Sequence, residues 1–83
     1  MERKKMSVMN GLREQAGMGG PAAVLANELL VIRQEYEQGQ LSLEEYQFLI
    51  QQLAEVKAAQ ELSNDEQAVR FIVSAAKTLY SLT

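Results

Sequence analysis

Eighty-three residues with a formal charge of −3 make one domain at most, and neither cysteine nor histidine is present. That excludes disulfides and nearly every structural zinc or haem site. It also removes the usual general base and the best nucleophile of covalent catalysis, so the chain is expected not to be an enzyme and to carry no cofactor.

The first twenty residues, MERKKMSVMNGLREQAGMGG, hold all four methionines, four of the five glycines and half of the lysines and arginines. Their formal charge is +2, against −5 for the rest. Residues 1–20 therefore read as a flexible basic arm in front of a helical body over residues 21–83. Val8, Met9, Leu12 and Ala16 fall on one helical face, so the arm can form a short amphipathic helix against a protein surface. Gly11 weakens that helix, and isolated helices this short are marginal in water. Disorder in the free protein is the expectation, with Met6, Met9 and Leu12 as partner contacts. Arg3, Lys4, Lys5 and Arg13 support an alternative, nucleic-acid binding, which the acidic body disfavours. Membrane-surface binding is disfavoured because the arm lacks aromatics. No signal-peptide core and no spanning run of about 18 apolar residues is seen. These absences predict a protein of the cytoplasm or of a larger assembly.

Gly19-Gly20-Pro21 is a stop followed by a start, since proline suits the first helical position. The first body helix is predicted over about 21–38, with Leu25, Leu29, Ile32 and Tyr36 as its stripe. Gly39 can close it in a left-handed conformation. Ser42 and Glu45 are spaced for a capping box, and Leu41 and Tyr46 for a hydrophobic staple. The second helix runs over about 43–62, with Tyr46, Leu49, Ile50, Leu53 and Val56 inward. Ser63-Asn64-Asp65-Glu66 offers a further start signal, and the third helix covers about 65–82. No glycine or proline interrupts residues 43–83, so one long rod is the alternative to two helices. The fold class is all-α: a small three-helix bundle, or a helical hairpin plus a C-terminal helix, with an N-terminal arm.

The stretch IRQEYEQGQLSLEEYQFLIQQL, residues 32–53, resembles the SHOCT-type short helical hairpin. Gly39, Leu41, Ser42, Glu44, Glu45, Tyr46 and Leu53 fill that family's glycine, apolar, hydroxyl, acidic, aromatic and leucine places. Gln51 and Gln52 stand where the family carries lysines. The resemblance implies an accessory oligomerisation or interaction module rather than a catalyst.

The paired acids Glu44–Glu45 and Asp65–Glu66 lie in first helical turns, where they complement the helix dipole. Gly17-Met18-Gly19-Gly20-Pro21 lacks the lysine and preceding strand of a phosphate loop. What remains is unpartnered apolar surface. Phe48 falls among Glu44, Gln52 and Glu55. Val24, Leu30 and Val31 lie off the first body helix's stripe. The third helix is apolar over more than half its circumference, including Phe71, Val73 and Tyr80. Such surface marks contact sites. The expected function is protein–protein interaction, as an adaptor, inhibitor or assembly component, with a protein partner or a second copy of the chain.

Overall fold

The computed structural model describes the backbone of residues 2–82 and the side chains of residues 6–82. The described residues form four helices: α1 Glu2–Ala16, α2 Pro21–Glu37, α3 over residues 43–61 and α4 Glu66–Ser81. The helix α3 is continuous but not uniform. It is α-helical over Leu43–Gln52 and Ala58–Glu61, with a π-helical turn over Leu53–Lys57 between them. Among the described residues no strand occurs.

The expected arm is corrected first. Residues 6–16 are a packed helix, and Leu12 is fully buried, with Met9 nearly so. The radius of gyration is 11.8 Å, and a compact chain of this length has about 12 Å. A detached arm would raise that value. Burial of Leu12 alone stabilises by roughly 1.5–3 kcal/mol, which offsets the low helix propensity of Gly11. Gly11 itself faces Phe71 of α4. A β-carbon built at Gly11 would sit 3.7 Å from the Phe71 ring.

Local chemistry sets the boundaries of α2 and the start of α3. The left-handed Gly20 precedes Pro21, and its carbonyl accepts from the Ala23 and Val24 amides. At the other end the Gln40 amide donates to the Glu35 carbonyl at 2.8 Å, and the Gly39 amide to Tyr36 at 3.0 Å. With Gly39 at φ 80°, this is a complete Schellman closure. The capping box forms as expected. Glu45 N–H donates to Ser42 Oγ at 3.1 Å, and Ser42 N–H to Glu45 Oε1 at 2.9 Å. Leu41 is half-buried against the core and Tyr46 is fully buried, the placement a staple requires.

The chain breaks after α3, so the single rod does not form. Asp65, not Ser63, caps α4: its carboxylate accepts from the Ala68 amide at 3.1 Å. Leu62 stays in the core, and the chain needs Ser63 and Asn64 to turn before the next helix begins.

The π turn explains a second correction, the placement of Val56. The Ala58 amide reaches back to the Leu53 carbonyl, five residues away. Tyr46, Ile50 and Leu53 point inward, and a regular α-helix would next turn in Lys57 and Gln60 or Glu61. One extra residue in the turn brings Ala58 and Leu62 into the core instead. Val56 is left 44% exposed, and Lys57 pairs with Glu28 of α2 at 3.3 Å.

Helices α2 and α4 form a middle layer. The helix α1 lies on one side of it, against both and, among the described residues, not against α3, which lies on the other side. Much of the wide apolar face of α4 is thereby covered twice, with Ile72, Ala75, Ala76 and Leu79 buried. The outer face of α3 has no such cover.

Candidate interaction face

Two sets of residues stand out from simple packing: a buried polar knot and an open apolar face.

The knot joins three helices. Arg33 is 7% exposed in the middle of the α2 stripe. It donates to Glu37 Oε2 at 3.1 Å, to the Tyr46 hydroxyl at 3.0 Å and to the Leu82 carbonyl at 3.1 Å. The Tyr46 hydroxyl in turn donates to the Leu79 carbonyl. Tyr36 stacks on Tyr46 with centroids 4.3 Å apart, and the guanidinium lies 5.5 Å from both ring centroids. The last carbonyls of α4 are orphans of the helix, and a cation there complements the dipole. Arg33 and Tyr46 therefore close the end of α4 from inside the bundle. Burial pushes the Tyr46 hydroxyl above its ordinary pKa, and the Arg33 charge only partly opposes this. Burial works against the charged Arg33, but Tyr46 and Glu37 outweigh it and hold its pKa above the ordinary value. Among the described residues every buried side-chain nitrogen or oxygen has a hydrogen-bond partner. The knot thus ties the end of α4 to α2 and α3.

The open face is built on α3. Phe48 is 62% exposed. On one side of it a groove of about 280 Å³ runs between α3 and α4. Ile50 and Ala76 lie in it, with Ala54, Val73 and Tyr80 along its length and Glu55 and Lys77 as its charges. Gln51 and Glu55 line both this groove and the surface that Phe48 shares with Val56. On the other side a second groove, between α2 and α3, holds Val31, Ile32 and Leu49, and Gln52 connects it to Phe48. The three regions are one continuous surface.

The expected contact residues divide accordingly. Phe48, Val31, Val73 and Tyr80 come together on this face. Val24 is exposed two helical turns before Val31 on α2. Leu30 and Phe71 are half-buried against the core. Met9 and Leu12 are core residues and are corrected from partner contacts to packing. Met6 is exposed on α1, away from α3. Of the walls of the α3–α4 groove, Val73 and Tyr80 were expected and Gln51, Ala54 and Lys77 were not. Gln51, Ala54 and Lys77 have ordinary types for a helix surface, and only the pairing of α3 with α4 makes them neighbours.

Among the described residues the basic side chains are scattered and mostly paired. Arg13 is exposed and bonded to Asn10 at 3.2 Å. Arg33, Lys57 and Arg70 each lie against a carboxylate. The side chains of Arg3, Lys4 and Lys5 lie outside the described residues. Among the described residues no acidic cluster could hold a metal ion, and no helix is long and apolar enough to cross a membrane.

No protein-family model matches the chain. No curated protein is similar to it. Nor does any solved structure match it. The likeness to the SHOCT-type hairpin rests on residues 32–53 alone.

Proposed function

We propose that the protein is a non-enzymatic interaction module, an accessory, adaptor or assembly component that acts by burying the outer face of α3. The observation that carries this reading is Phe48. It is a large aromatic left mostly in water beside an apolar groove. Isolated exposed apolar residues are ordinary. Phe48 and Val56 share one stretch of surface, joined to Val73 and Tyr80 through Gln51 and Glu55 and to Val31 through Gln52, and apolar surface with a polar rim is characteristic of contact sites. Aromatic anchors beside a groove supply a large share of binding energy in such contacts.

Site-specific photo-crosslinking tests the reading. A crosslinker placed at Phe48 should give discrete protein adducts in extract of the native source. The same group at Glu14, on the opposite layer, should give none. Equal adducts at both positions, or none at Phe48, would overturn it.

A further inference from the structure

We infer that the occupant of this face is a second copy of the same chain, paired antiparallel along α3 about a two-fold axis between Gln51 and Gln52. The inference rests on the interaction-face reading and names its partner.

A two-fold interface uses one patch on both copies, so knob and hole must lie side by side on the same surface. Phe48 and the α3–α4 groove meet that condition, because Gln51 and Glu55 border both. An axis between residues 51 and 52 sets position 48 of one copy opposite position 55 of the other. Phe48 then lands on the groove wall of the second copy. A cavity of roughly 150 Å³ accepts a benzene ring, so a groove of about 280 Å³ has room for this one.

Residues at a two-fold axis meet themselves. An acid or a lysine there repels its copy, whereas a glutamine amide is both donor and acceptor and can pair with itself. Gln51 and Gln52 occupy the centre. The groove's charges lie off the axis and are opposite in sign, Glu55 and Lys77. Neither forms an ion pair among the described residues. Across the axis Glu55 of each copy faces Lys77 of the other. The two groove charges thus cancel and are self-complementary on a chain whose formal charge is −3, while Glu44, the other acid beside Phe48, lies opposite Ala59 in this register and off the axis.

The nineteen residues of α3 extend about 28 Å. With the flank of α4 alongside, the contact belongs to the small, transient class of interfaces. Contacts of that class are transient, so the dimer is looked for between about ten and several hundred micromolar.

Sedimentation equilibrium over that range tests this. The wild-type chain should pass from monomer to dimer. Phe48→Ala should weaken the dimer at least about tenfold, with an unchanged helical circular-dichroism spectrum, since the side chain is exposed. Glu55→Lys and Lys77→Glu should each weaken it, and the double reversal should restore it. A chain that stays monomeric at the highest concentration, or a dimer indifferent to Phe48→Ala, would overturn the inference. A monomer that still crosslinks through position 48 to another protein overturns the dimer alone. A monomer that crosslinks to nothing there overturns both readings.

Discussion

The Arg33 guanidinium donates to the Tyr46 hydroxyl at 3.0 Å in the interior of the bundle, and each also holds a carbonyl of the α4 C-terminus. Three helices are thereby tied at one point by groups that local sequence patterns assign to surface and core respectively. Removing either partner leaves the other with unmet hydrogen bonds away from water, which costs more than the bond itself contributes.

Arg33→Met keeps the length and apolar stem but removes every donor. It is expected to destabilise by about 2–3 kcal/mol. Tyr46→Phe is expected to cost about 1–3 kcal/mol. The double variant should fall well short of the sum, because each single change already breaks the shared bond. Urea denaturation of the four species measures this.

Tyr46 also sets an alkaline limit. Its folded pKa lies above the ordinary value of 10.0, so the folded state holds the proton more tightly than the unfolded chain. The stability this confers is fully present below about pH 10 and is lost as pH rises through the folded value. Denaturation curves from about pH 8 to 12 should show a decline that begins near pH 10. In Tyr46→Phe that component of the slope should vanish.

Helix α1 is part of the core rather than an appendage. Leu12→Ala is expected to cost about 2–5 kcal/mol. That is a large fraction of the roughly 4–12 kcal/mol available to a chain of this length. A chain lacking residues 1–17 should lose cooperative thermal unfolding, because one flank of α2 and α4 becomes exposed. Undiminished cooperativity in the shortened chain would contradict the packing of α1.

Gly11 offers the opposite change. A β-carbon there meets the Phe71 ring at ordinary contact distance, 3.7 Å. Gly11→Ala should therefore gain helix propensity without a clash, stabilising by about 0.5–1 kcal/mol. A thermal melt detects a shift of this size. A fall in the midpoint would mean that the Phe71 ring packs closer to α1 than the structure places it.

The π turn makes a prediction about chain length. Deleting Glu55 should convert the turn into regular α-helix and leave Ala58 and Leu62 inward. Deleting Gln47 instead rotates Tyr46 by about 100° relative to Ile50, since each residue turns the helix by that much. The first variant should remain folded with slightly changed stability, and the second should not. Circular dichroism and amide exchange separate the two outcomes.

The sequence by itself determined the all-α class, the bounds of α2 and the hairpin from Gly39 to Tyr46. These depend on hydrogen bonds that close within five residues, as at Gln40 with Glu35 and at Ser42 with Glu45, so the residues concerned are contiguous. Phe48 was also legible as an apolar residue on a polar side. Only the tertiary structure decided that α1 is ordered, since Gly11 and shortness argue against it locally and long-range burial of Leu12 outweighs them. It likewise decided the cap at Asp65, the π turn and the interior place of Arg33. Arg33 sits four residues after Leu29 on the α2 stripe, a position an isolated helix leaves in water. Its burial is favourable only because Tyr46 and the end of α4 arrive there together.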